Sequence, residues 1–172
     1  MLTLAVYEIL SQSSVLEITG RSSLHAITGS SRRLRGSVRA AWNDDGTLAL
    51  DPPPQVHVEL PVASLVSGNA LVDKQMQDLV GSRSFPNIVA DLTELQPGAV
   101  PGGYRATGSL ELRGTTRPFS GLLAVSRSGE RVAVSGSSTI DIRDWGIKPP
   151  KVLMFEVKPD VSIRLTLAAA PA

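Results

Sequence analysis

Hydrophobic and polar residues alternate along most of this chain. From Leu34 to Trp42, Leu34, Gly36, Val38, Ala40 and Trp42 share one face, while Arg33, Arg35, Ser37 and Arg39 share the other; period two of this kind marks a half-buried β-strand. The same pattern recurs at Ser14 to Gly20 (Leu16 and Ile18 inward), Ser22 to Thr28 (Leu24 and Ala26), Gln55 to Leu60 (Val56, Val58, Leu60) and Asn87 to Thr93 (Ile88, Ala90, Leu92). It continues through Tyr104 to Arg113, Thr116 to Arg127, Arg131 to Ile142 and Val161 to Ala169. The count is about eight or nine strands, separated by Gly- and Pro-containing turns such as Pro97-Gly98, Pro101-Gly-Gly103 and Ser128-Gly-Glu130. Short strands at regular intervals predict an all-β sandwich or antiparallel barrel. Thr116 to Ile142, two long alternating runs about Ser128-Gly129, is the clearest hairpin.

One interior segment has helical spacing. Leu71, Val72, Met76, Leu79 and Val80 fall on one stripe, with Ser67 or Asn69 as a cap and Gly81 as a stop, which predicts one short helix over about residues 69–80. Pro86 then holds Phe85 extended before the next strand. No linker or repeat divides the chain, so residues 1–172 read as a single domain. The opening Met1 to Leu10 has no basic region, carries Glu8 and lacks a small-residue cleavage site, so it reads as mature chain. No apolar run approaches the roughly 18 residues of a transmembrane helix, and the expected compartment is the cytoplasm.

Composition narrows the chemistry. With no cysteine and two histidines the chain has no disulfide, thiolate nucleophile or three-histidine metal site, and no cofactor is expected. Seventeen basic against 16 acidic residues leave a net charge of +1, too little for an electrostatic footprint on nucleic acid. The Arg32-Arg33-Leu34-Arg35 cluster alternates with apolar residues and has no interleaved rings, so it reads as a solvated outer face. His25 and His57 read as ordinary strand residues, and no Gly-x-Ser-x-Gly elbow or phosphate loop is present. The chain is 42% hydrophobic but only 4% aromatic. An eight-stranded barrel is either filled by side chains or holds one small ligand. Few rings, with Gly36, Gly108, Gly121 and Gly136 on the strands, point to a long aliphatic cavity as one reading and to a dry core with glycine corners as the other.

Four stretches resemble the YceI-like family. They are Ser64-Leu-Val-Ser-Gly-Asn-Ala-Leu-Val-Asp73, Phe85-Pro-Asn-Ile-Val-Ala90, Gly108-Ser-Leu-Glu-Leu-Arg-Gly-Thr-Thr-Arg-Pro118 and Ile140-Asp-Ile-Arg-Asp-Trp-Gly-Ile147, and the third is the most specific. Their order and spacing agree with the family from about Ser13 to Ala169. The resemblance implies a lipocalin-like barrel that binds a polyisoprenoid or another long-chain amphiphile. The chain departs from the pattern with Val66 for an Asp, Val72 for an Arg and Gln75 for a His, which depletes the polar network around the helix, and with Ala90 for a Phe on the following strand.

The inward phases and the rings beside the motifs nominate Leu24, Val38, Trp42, Val58, Phe85, Ile88, Leu110, Phe119, Leu123, Val134, Ile140 and Trp145 as cavity residues. Arg117 and Arg143 are head-group candidates, because a guanidinium can hold a phosphate or carboxylate bidentately. Asp73 is expected to serve the helix N-terminus. The expected function is sequestration or transport of a long-chain lipid, such as a polyisoprenoid or isoprenoid quinone, without catalysis and without nucleic acid. Two alternatives remain at this point: a cyclase- or isomerase-type barrel enzyme acting on an apolar substrate, and a solid-core interaction module, with homodimer pairing through an edge strand or the helix. Asp91, Glu111 and Asp141, the acids an enzyme would need inside, all alternate outward.

Overall fold

The computed structural model describes residues 2–23, 26–152 and 155–172. Among them are strands β1 (Ala5–Ile9), β2 (Val15–Ser22), β3 (Ala26–Ser31), β4 (Arg35–Ala40), β5 (Gln55–Pro61), β6 (Asn87–Pro97), β7 (Gly103–Leu112), β8 (Thr115–Ser128), β9 (Arg131–Asp141), β10 (Lys151–Val152) and β11 (Phe155–Pro171), with helix α1 (Ala70–Val80). The strands β1-β4-β5-β6-β7-β8-β9-β11 pair in that order, and β11 returns to β1. The result is a closed eight-stranded antiparallel barrel with one helix. No described helix is long and apolar enough to cross a membrane.

Two of the eight staves are broken. β11 pairs with β1 near Ala169–Pro171 and with β2 from Thr166 upward, so β1 and β2 are successive pieces of one stave. The break is held by Ser14, whose buried hydroxyl donates to the Leu10 carbonyl (2.7 Å) and accepts from the Ala168 N–H (3.1 Å). β3 and β4 form the second broken stave. β4 pairs with β5, but β3 leans away with β2, and the loop after β5 fills the gap through a Ser30–Val66 bridge. Below it, the Ser31 hydroxyl donates to Ser64, which donates in turn to the Pro61 carbonyl (both 2.6 Å).

Two expectations need correction. The opening residues contribute β1, a strand that the alternation did not reveal. At β3, Ala26 is exposed and Ile27 faces in. Register explains the second: Ile27 lies opposite Gly20, an inward position of β2, and facing residues of an antiparallel pair share a side.

Helix α1 begins and ends as its sequence dictates. The Asn69 side chain accepts from the N–H groups of Leu71 and Val72, the Asp73 carboxylate accepts from the Ser67 N–H (2.8 Å) and hydroxyl (2.6 Å), and Gly81 closes the helix at φ 76°. Its C-terminus is clamped to the β7–β8 turn. Arg113 and Gly114 both have positive φ (50° and 73°), as a two-residue type I′ hairpin requires. The Phe85 ring lies over Gly114 and against Gly81, and Arg113 donates to the Leu79 carbonyl (3.3 Å). A Cβ on Gly114 would stand 2.4 Å from the Phe85 ring.

Gly114→Ala is therefore expected to lower stability in urea unfolding by about 2–3 kcal/mol, combining left-handed backbone cost with displacement of the ring. In a Phe85→Ala background only the backbone part, about 1 kcal/mol, should remain. Additive effects would show that ring and glycine are not coupled.

Candidate ligand cavity

With α1 and the β7–β8 turn taken as the upper end, the barrel divides into a solid lower half and a hollow upper half. Below, Val38, Val132, Val134, Leu167 and Ala169 interdigitate at 0–2% exposure. Above, an apolar cavity of about 210 Å³ remains. Its wall begins with the regular alternation of three neighbouring strands, which aims Val56, Val58 and Leu60 of β5, Ile88, Ala90 and Leu92 of β6, and Ala106, Leu110 and Leu112 of β7 at the axis. β11 completes the opposite side with Val161, Ile163 and Leu165, and Leu65 with Val72, Met76, Leu79 and Val80 of α1 forms the roof.

The space exists because small residues occupy places where a ring would plug the axis. Gly20, Gly29, Ala90, Gly121 and Gly136 all line it. A Cβ built at Gly20 would meet nothing closer than a Val157 methyl at 3.7 Å, ordinary contact, so that glycine leaves room rather than relieving a clash. Among the described residues that line it none has an ionisable side chain, and the polar ones are Ser137 and Ser138.

This arrangement can be set beside known proteins. A YceI-like domain model matches residues 7–169. The chain belongs to the YceI-like family. No curated protein is detectably similar in sequence. Among solved structures, BcnA of Burkholderia cenocepacia superposes with a TM-score of 0.78 at 16% identity, covering 94% of this chain and 99% of that one. A polyisoprenoid-binding domain from Saccharophagus degradans, described as implicated in plant cell wall breakdown, gives 0.72 at 16% identity over 98% and 99%. The Campylobacter jejuni YceI protein gives 0.67 at 11% identity over 85% of each chain. At these identities the likeness establishes the YceI-like fold.

The sequence-nominated residues fall into three groups on this fold. Val58, Ile88, Leu110, Phe119, Leu123 and Ile140 line the cavity. Val38 and Val134 point inward but belong to the packed floor. Trp42, Phe85 and Trp145 do not line the cavity and close the barrel from outside it. Trp42 lies beyond β4 at the lower end, where its indole N–H donates to the Tyr7 hydroxyl (3.0 Å) and the Arg127 guanidinium stacks 4.6 Å above it. Phe85 covers Gly114. Trp145 is 3% exposed, on a 3₁₀ turn (Ile142–Trp145), and donates to the Leu110 carbonyl at 2.8 Å, tying that turn to β7. Leu24 lies outside the described residues, as does His25.

The arginines differ from each other. Arg143 is engaged: its Nε and Nη2 donate to both carboxylate oxygens of Asp141 (2.6–3.1 Å) and its backbone N–H adds a further bond. The guanidinium and then that N–H hold the Asp141 carboxyl below the usual carboxylate range, and Asp141 raises Arg143 in return. Arg117 is exposed on β8 opposite Leu110. The outward acids stay outside; Asp91 meets His57 Nδ1 at 2.6 Å on the barrel's outer surface. Sequence reasoning missed the roof, although the apolar stripe of α1 that supplies it was legible, and it missed the role of Gly20 and Ile27.

Proposed function

We propose that this YceI-like protein holds a long-chain amphiphile, of the polyisoprenoid or isoprenoid-quinone class, with part of its apolar chain in the upper-half cavity. The observation that carries the reading is the cavity, whose described lining residues are apolar apart from Ser137 and Ser138. An engineered apolar cavity of about 150 Å³ accepts a benzene ring, so this one has room for roughly eight carbons. At about 0.8 kcal/mol per CH₂ these contribute about 6 kcal/mol before ordering costs. Family membership and the likeness to a polyisoprenoid-binding domain support this ligand class.

Sequestration or carriage fits better than catalysis, since a cyclase or isomerase needs an acid or base at the substrate and the described lining residues offer none. The experiment is non-denaturing purification, organic-solvent extraction and mass spectrometry. A co-purifying long-chain amphiphile at near-stoichiometric yield is expected. An empty extract, together with failure to bind added polyprenol, would overturn the reading.

A further inference from the structure

The barrel is not hydrogen-bonded all the way round. β8 and β9 pair from Ser128–Arg131 up to Leu122–Ser137, and there their ladder stops, although β8 extends to Thr115 and β9 to Asp141. Beyond that rung β8 remains paired to β7 and β9 to β11, so each strand has a ladder partner on one side only. Pro118, in the parted stretch of β8, has no N–H to offer a neighbour. Among the described residues the gap is bridged by the Ser138 hydroxyl, which donates to the Ser120 carbonyl at 2.6 Å. Gly121 sits at the fork. A Cβ there would lie 2.5 Å from the Ser137 carbonyl oxygen, so any larger residue would spread the two strands.

The fork borders two different spaces. Gly121, Ser137 and Ser138 line the apolar cavity, and the same three residues line a depression on the outer surface together with Ser120, Thr139, Arg164 and Glu17, which lies opposite Arg164 across the β2–β11 pair. Hydrocarbon on one side and a polar wall of hydroxyls, one guanidinium and one carboxylate on the other match the two ends of an amphiphile. Among the described residues a second parting of the barrel, between β3 and β5, is already filled by the loop that bridges Ser30 to Val66. A chain longer than roughly eight carbons also exceeds the enclosed space and must leave the cavity somewhere.

We propose that the β8–β9 seam is the ligand's way in. The apolar chain passes sideways between the strands as Ser138 releases the Ser120 carbonyl, and the polar end stays in the outer hydroxyl-lined depression beside Arg164. The inference rests on the lipid-binding reading above.

The chain has no cysteine, so a designed pair is unambiguous. Ser120 and Thr139 would face each other on the outer surface if the ladder continued, and a disulfide between them forms only when the strands close to ordinary disulfide distance. The probe is cis-parinaric acid, a long-chain polyene acid that fluoresces in apolar surroundings, mixed with the full chain in a stopped-flow instrument. Oxidised Ser120→Cys/Thr139→Cys protein should take it up roughly tenfold or more slowly than the same protein after reduction. A control pair in the zipped part, Ser126→Cys/Ala133→Cys, should be unaffected by oxidation. Ser138→Ala and Gly121→Ala should both accelerate uptake, and they decide the matter where the crosslink does not form. Unchanged rates in the locked protein, or in these two variants, would overturn the seam while leaving lipid binding intact. Failure of the unmodified protein to bind the probe would overturn the lipid-binding reading itself.

Discussion

Ala90→Phe is expected to abolish most ligand binding while leaving the protein folded and at least as heat-stable. Ala90 sits at mid-wall on β6, with Val58 of β5 and Leu110 of β7 directly opposite it on either side, and all three face the cavity. A phenyl group projected from that position takes up the volume of about six chain carbons, most of the room for roughly eight. Displacing them forfeits up to about 5 kcal/mol at 0.8 kcal/mol per carbon. Allowing for partial readjustment, affinity for cis-parinaric acid or a polyprenol should fall by at least about a hundredfold. Filling an existing void has the opposite effect on folding, because new contacts form without overpacking. Each 1 kcal/mol gained should raise Tm by about 2–4 °C. Fluorescence titration and thermal unfolding on the same preparation give both readouts. Unchanged affinity with a raised Tm would mean that the ligand does not occupy this cavity.

The same residue illustrates what the sequence made legible. Wherever a strand is regular, period two alone puts the right residues inside: Val58, Ile88, Ala90, Leu92 and Leu110 follow from alternation, the all-β class and its helix follow from the strands and the one change of period, and the choice of barrel over sandwich follows from the family resemblance. Alternation is ambiguous where a turn can absorb one residue, which is why it assigns Ala26 rather than Ile27 to the inside. It is also blind to height along the axis. Val38 and Val134 have the right phase but stand in the lower half, where Leu167 and Ala169 meet them and no space remains. The rings were hardest to place. Phe85 and Gly114 are far apart in the sequence and meet only because α1 returns the chain to the β7–β8 turn. Arg143 reads from the sequence as a head-group candidate, but its partner is Asp141, two residues away, and the turn that brings them together is capped by that same carboxylate.

Trp145→Ala should be among the most damaging single substitutions for stability, and Trp145→Phe should separate its two contributions. The indole is fully enclosed on a turn fixed at one end by the Asp141 cap and at the other by Gly146 at φ 73°. Its N–H satisfies the Leu110 carbonyl, on a strand separated from β9 by β8. Truncation to alanine removes the packing and the hydrogen bond together, at a cost of about 3–5 kcal/mol. In a chain of this size that corresponds to a fall in Tm of roughly 6–20 °C. Phenylalanine keeps most of the packing and removes only the indole's bond to the Leu110 carbonyl, which also lies in the β6–β7–β8 ladder, for about 1 kcal/mol. Because the ring lies outside the cavity, the affinity of Trp145→Phe for a long-chain probe should stay within about twofold of the parent, a change under 0.5 kcal/mol. The opposite pattern, weakened binding at unchanged Tm, would place the indole against the ligand. A turn that ties β9 across β8 to β7 makes sense beside strands whose own ladder has ended: where backbone pairing stops, a buried side chain carries the connection at the upper end of the barrel.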